Sequence, residues 1–70
     1  MRISARNQLR GTVKKISRGA SIANVELDVG GQRLVASITV EAVDELEITE
    51  DATITAVIKA SDVMIATEPV

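Results

Sequence analysis

Apolar residues recur mostly at every second position along this chain. Ala23, Val25, Leu27 and Val29 alternate with Asn24, Glu26 and Asp28, which predicts a strand with one buried face. Gly30-Gly31 follows, a pair able to take positive φ at both central positions of a tight hairpin turn. The return strand carries Leu34, Ala36 and Ile38 on one side, with Arg33, Val35, Ser37 and Thr39 on the other. Upstream, residues 9–16 read as a strand whose internal Gly11 marks a bulge or sharp bend, and Arg18-Gly19-Ala20 forms a second turn. Downstream, Thr39 caps a short helix over residues 40–46, with Glu41 in the first turn where the helix dipole favours an anion. Val40, Val43 and Leu46 recur at three-residue steps and are expected to plug one end of a sheet. Residues 52–58 and 63–66 make two more strands, separated by Lys59-Ala60-Ser61-Asp62.

Five strands with one short helix after the third fit a mainly β fold, a small OB-like five-stranded β-barrel. Composition agrees. Val, Ile and Thr make up 23 of 70 residues, and their stiff branched side chains suit a pleated surface. The length allows one domain, residues 1–70, without linker, repeat or low-complexity tract. The core must be built from 32 apolar residues with no Phe, Tyr or Trp, and neither disulfide nor structural metal is available to supplement it. Oligomerisation is the remaining source of stability, so a homo-oligomer is expected.

Several functions are excluded by what the chain lacks. Without Cys or His there is no thiolate chemistry, no zinc finger and no triad that needs imidazole. Absent aromatics and a net charge of −2 argue against a nucleic-acid partner. No apolar run is long enough to span a membrane and no signal peptide is evident, so a cytoplasmic protein is expected. Charge is nonetheless segregated. Residues 1–19 hold Arg2, Arg6, Arg10, Lys14, Lys15 and Arg18 with no acid, whereas residues 41–51 hold Glu41, Asp44, Glu45, Glu47, Glu50 and Asp51 with no base. The two stretches are either solvated faces, or a basic segment that meets an anion or a neighbouring subunit's acidic segment.

Catalysis has little to stand on. Glu45/Glu47 and Glu50/Asp51 lie in a polar stretch with nothing to tune a general acid, and their spacing lacks the pattern of a calcium loop. Two donor-rich segments stand out instead. Ser4-Ala5-Arg6-Asn7 sets a hydroxyl, a guanidinium and an amide beside a small residue, and Lys59-Ala60-Ser61 does the same with an ammonium and a hydroxyl. Such sets suit a small tetrahedral oxyanion, because charge-assisted hydrogen bonds from Arg and Lys are strong. The plainer alternative is a polar turn and a solvated terminus.

Ser4-Ala5-Arg6-Asn7-Gln8-Leu9-Arg10-Gly11, Ser37-Ile38-Thr39 and Thr55-Ala56-Val57-Ile58-Lys59-Ala60-Ser61-Asp62-Val63-Met64 together resemble the signature segments of the molbindins. These are small cytoplasmic molybdate- and tungstate-binding proteins built from a single Mop, or TOBE, domain, and the likeness spans residues 1–66. It implies a hexamer, a trimer of dimers, with oxyanions held between subunits. One kind of site would use Ser4, Ala5, Arg6 and Asn7 with Lys59, Ala60 and Ser61, and Thr39 matches a position close to the anion. A second kind, near threefold axes, would use Gly19, Ala20, Ser21 and Ile22. Family members often carry a polar Thr or Asn where this chain has Ile22, which leaves Ser21 and backbone N–H groups as the donors there.

Molybdate and tungstate carry no proton near neutral pH, so a lining made only of donors satisfies every oxygen. No organic cofactor and no direct protein–metal ligand is needed. The implied activity is reversible binding, storage and buffering, not catalysis. The alternatives are an oxyanion-sensing regulatory domain of a larger transporter or transcription system, and an OB-type nucleic-acid binder supported only by the basic first 19 residues. A chain that starts with Met1 and lacks an ATPase or helix-turn-helix favours the free-standing form.

Overall fold

The computed structural model describes residues 2–68. Four strands, β1 (Asn7–Arg18), β2 (Ile22–Val29), β3 (Gln32–Thr39) and β4 (Thr53–Ile58), form one antiparallel sheet in the order β3-β2-β1-β4. A single-turn helix, α1 (Val40–Glu45), follows β3, and a 3₁₀ turn over Ala60–Asp62 follows β4. The mainly β reading with one short helix after the third strand therefore holds.

The central hairpin forms as its alternation requires. Ala23, Val25 and Leu27 are buried, and they stand opposite Ile38, Ala36 and Leu34 across the β2–β3 ladder. Val29 pairs with Gln32, so Gly30 and Gly31 are the whole loop, at φ 57° and 86°. Positive φ at both positions matches the right-handed twist of the flanking strands, and only glycine takes both at no steric cost. On the outer face Arg33 reaches diagonally to pair with Glu26.

β1 is longer than residues 9–16 and its irregularity is displaced. The register shifts between Val13 and Lys15, leaving Lys14 as the bulged residue, whereas Gly11 remains in regular pairing with Ile54. Gly11 answers a different need. A Cβ there would lie 2.8 Å from the Asp28 carbonyl oxygen, so β2 can pack this closely only against a glycine. The bulge restores the inward face, since Val13 opposes Leu27 and Ile16 opposes Val25 with an extra residue between them.

Thr39 caps α1, its Oγ1 accepting from the Ala42 N–H at 3.0 Å. Val43 is buried beneath the sheet and Val40 is half-buried, but Leu46 is 69% exposed and does not plug the sheet end. The helix stops at Glu45, and the chain turns away through Glu47, which takes φ 53°. Five residues, Val13, Ala23, Val25, Leu27 and Val43, form the buried core among the described residues. That is a thin core for a domain of this size.

The expected fifth strand is absent from the described residues, and the barrel stays open. Val63 leaves the 3₁₀ turn with extended backbone angles, residues 63–66 join no ladder, and β3 and β4 do not pair with each other. A cavity of about 720 Å³ lies between them, lined by residues 34–38 and 54–58 and floored by Val13, Val25 and Leu27. The twist of the sheet curls its two edges toward one another, but four strands leave a gap where a fifth would sit.

Candidate functional site

The Ser4-Ala5-Arg6-Asn7 segment runs into β1, and Lys59-Ala60-Ser61 leaves β4. These ends meet because β1 and β4 pair antiparallel, with Asn7 opposite Ile58 as the last rung. Arg6 and Lys59 are the next residues outward on the two strands, and adjacent strands lie only about 4.8 Å apart. Two cations thus emerge side by side, with the Ser4 and Ser61 hydroxyls two residues further along each chain.

Local structure shapes both segments. Ser4 sits in a bend, Ala5 is half-buried, and the Gln8 side-chain amide donates to the Ala5 carbonyl at 3.4 Å, a long contact that closes the bend over the strand start. Gln8 lay inside the sequence motif yet was not among the expected site residues; its role is to hold the bend. On the other side, the Asp62 N–H donates to the Lys59 carbonyl at 2.9 Å and the Val63 N–H to the Ala60 carbonyl at 3.3 Å, which makes the 3₁₀ turn. Ser4, Arg6, Lys59, Ala60 and Ser61 are exposed, and among the described residues their side chains enter no hydrogen bond or ion pair. Their donors are therefore free to meet an anion, and the paired positive charges favour one. Asp62, at the end of the turn, is the one nearby acid in the sequence.

Thr39 lies elsewhere in the chain. It pairs with Ile22, and Ile22–Ala23 is joined to the far end of β1 at Arg18. Asn7 and Arg18 are the two ends of a twelve-residue strand, roughly 35 Å of contour at ~3.3 Å per residue. Thr39 is instead brought beside the Gly19-Ala20-Ser21-Ile22 turn. There the Gly19 N–H donates to the Ile22 carbonyl at 2.8 Å and the Val40 N–H to the Ser21 carbonyl at 2.9 Å. The Thr39 hydroxyl accepts one bond from the helix and keeps its own proton to donate. Ser21 and Ala20 are exposed and the Ile22 side chain is 48% exposed, so that turn presents one hydroxyl and backbone amides next to an apolar surface.

At this same end Arg18 donates to Asp44 at 2.9 Å, tying the basic and acidic stretches together within one chain. Neither partner was expected to pair internally. No group of three acidic residues converges to hold a metal ion among the described residues. The 720 Å³ cavity has no charged lining residue and so is no place for an anion. Among the described residues no helix is long and apolar enough to cross a membrane.

The TOBE domain family profile matches residues 3–65. The chain is 47% identical over 66 residues to Molybdenum-pterin-binding protein 1 of Clostridium pasteurianum, covering 93% of this chain and 97% of that protein. Its fold is similar to that of a molybdate-binding protein from Sporomusa ovata, with a TM-score of 0.92 at 37% identity over 96% of this chain and 100% of that one. It is also similar to the cytoplasmic molybdate-binding protein ModG in its molybdate-bound form, with a TM-score of 0.82 at 39% identity over 86% of this chain and 43% of the longer one. A likeness that runs through sequence and fold over nearly the whole length makes this chain a member of the TOBE domain family, in its molbindin, or Mop, branch.

Proposed function

We propose that this protein binds molybdate or tungstate as the free oxyanion, between copies of a homo-oligomer, and stores and buffers it in the cytoplasm. The observation that carries this reading is the β1–β4 register, which delivers Arg6 and Lys59 from one end of one ladder with no side-chain partner among the described residues. A dianion offers both a common counter-charge, and its oxygens accept from Ser4, Asn7, Ser61 and the N–H groups beside small Ala5 and Ala60. The names of its relatives support the same ligand: one solved neighbour is a molybdate-binding protein and another is a cytoplasmic one.

Two features favour sites shared between copies. The donors of one chain are exposed at one end of the β1–β4 ladder, where a single chain offers an ion donors from one side. Thr39 stands at the opposite end of the sheet from Arg6, so it joins that set only if a second chain supplies it. The thin core and the exposed Ile3, Leu9, Leu46, Val63, Met64 and Ile65 supply the apolar surface for association, and a hexamer arranged as a trimer of dimers follows from the family resemblance. A second kind of site is assigned to Gly19, Ala20, Ser21 and Ile22. No bond is made or broken, and the chain, having no aromatic ring to stack on a pterin, needs no organic cofactor.

The test is a calorimetric titration of anion-free protein with sodium molybdate, joined to native mass spectrometry of the titrated sample. Six chains carrying several molybdate ions are expected. Absence of heat and of bound anion would remove the proposed ligand, and co-purification of an organic chromophore with the metal would replace the free oxyanion by a pterin complex.

A further inference from the structure

We propose that Arg10 is a steering residue, which draws the dianion along the solvent face of the β1–β4 ladder toward Arg6 and Lys59 without touching it once bound. The role rests on the oxyanion binding proposed above, and it falls to a residue outside both donor segments.

Register places Arg10 on the approach to the site. Alternation puts Gln8, Arg10 and Thr12 of β1 on the solvent face, opposite Val57, Thr55 and Thr53 of β4. Continued one step past the end of each strand, the same face meets Arg6 and Lys59. Arg10 is four residues from Arg6, about 13 Å along the strand, a distance at which charge acts through its field. The last rung between β1 and β2 is Thr12–Asp28, and the register carried on brings Arg10 level with Gly30, which has no side chain to cover it.

The other cations of the sheet are compensated. Arg18 is paired with Asp44, and Arg33 with Glu26. Lys15 stands opposite Glu26 across the β1–β2 ladder, and Lys14 lines a small surface cavity together with Glu26 and Asp28. Arg10 faces two threonines and a valine on β4, with no acid among them, and it enters no ion pair among the described residues. Asp28, the acid on the adjacent rung, has Arg33 on its other flank. Uncompensated positive charge therefore collects on one face, with the candidate anion site at its end.

The acidic stretch completes the field. It ends at Asp51, two residues before β4 begins, whereas Lys59 follows directly after β4. Over about 20 Å of one strand the potential runs from acid to cation, which drives a dianion toward the Lys59 end. In a chain of net charge −2, an approaching anion is repelled unless positive charge is concentrated locally. Coulomb attraction in water between one positive charge and a dianion about 13 Å away changes affinity about two- to threefold. At an ionic strength of about 10 mM most of that survives, and at about 500 mM screening removes it.

The test is calorimetric titration of the full-length protein with sodium molybdate at those two ionic strengths. Arg10→Lys, Arg10→Gln and Arg10→Glu form a charge series, and Lys15→Gln removes the same charge from a compensated position. At low salt Arg10→Lys should bind as the unaltered protein does, Arg10→Gln about two- to threefold more weakly and Arg10→Glu about four- to ninefold more weakly. Lys15→Gln should change nothing, and at high salt all should bind alike. Equal affinity throughout the Arg10 series at low salt would overturn the role. A loss in Arg10→Lys that persists at high salt would show direct contact and overturn steering. An equal loss in Lys15→Gln would show that net charge matters and not placement, which also overturns it. Absence of molybdate binding by the unaltered protein would overturn the oxyanion reading itself, and steering with it.

Discussion

Asn7 stands opposite Ile58 at the last rung of the β1–β4 ladder, and from that pair the two strands run out into the Arg6 and Lys59 segments side by side. Antiparallel pairing across the longest sequence separation in the sheet thus brings two short polar stretches together into one cationic end. Removing either cation should expose the dependence. Arg6→Ala and Lys59→Ala are each expected to weaken molybdate binding by about 2–4 kcal/mol, in the range for truncating one partner of a desolvated charge contact. Calorimetric titration measures it, and unchanged affinity in both variants would return these residues to the role of solvated surface.

Selectivity follows from donors without acceptors. Hydrogenphosphate bound among Ser4, Arg6, Lys59 and Ser61 would leave its own hydroxyl unpaired, at a cost of about 1–3 kcal/mol. Phosphate should therefore compete roughly ten- to hundredfold less well than tungstate at pH 7.5. Sulfate, which has no proton, escapes that penalty and tests cavity size instead. Asp62 is the residue that could accept the phosphate proton, so Asp62→Asn should widen the gap between molybdate and phosphate in competition titrations.

Thr39 has a structural role that can be separated from any contact with the anion. Thr39→Ala removes the acceptor for the Ala42 N–H and should lower stability by about 0.5–2 kcal/mol, whereas Thr39→Ser keeps the cap. Chemical denaturation of both variants at one protein concentration is the measurement. Equal stability of the two would show that α1 is held by Val43 alone.

Gly11 is constrained by contact, not by its backbone angles. A Cβ at this position meets the Asp28 carbonyl at 2.8 Å and the Val29 side chain at 2.9 Å. Gly11→Ala should push β2 from β1 and cost about 1–3 kcal/mol, as overpacking does elsewhere. A thermal scan showing no loss would mean that the bulge at Lys14 absorbs the displacement.

Leu27 is 3% exposed at the centre of a five-residue core. Leu27→Ala should cost about 2–5 kcal/mol. In an oligomer the midpoint of unfolding also rises with protein concentration, so the comparison is made at two concentrations. A midpoint independent of concentration would contradict an obligate assembly.

Much of the architecture was legible from residue order. Alternation fixes which face of β2 and β3 is buried, because side chains in a strand repeat every two residues whatever lies around them. Gly30-Gly31 specifies its own turn, and Thr39 announces the helix that it caps. The donor-rich segments were legible too, as was their family resemblance over residues 1–66. These are local properties, set by covalent geometry and by groups a few residues apart.

Other features depended on distant parts of the chain. The bulge fell at Lys14 and not at Gly11, since where a ladder slips depends on the partner strand. Leu46 had the right spacing to be buried yet stays 69% exposed at the rim of the cavity between β3 and β4. Residues 63–66 had strand composition, yet a strand exists only where an edge receives its hydrogen bonds, and among the described residues no strand pairs with them. Tertiary structure likewise decided the grouping of the candidate site: Arg6 with Lys59 through the β1–β4 register, and Thr39 with Ser21 at the other end. Periodicity and motif are written into neighbouring residues, whereas register, closure and the meeting of remote side chains belong to the balance of contacts over the whole fold.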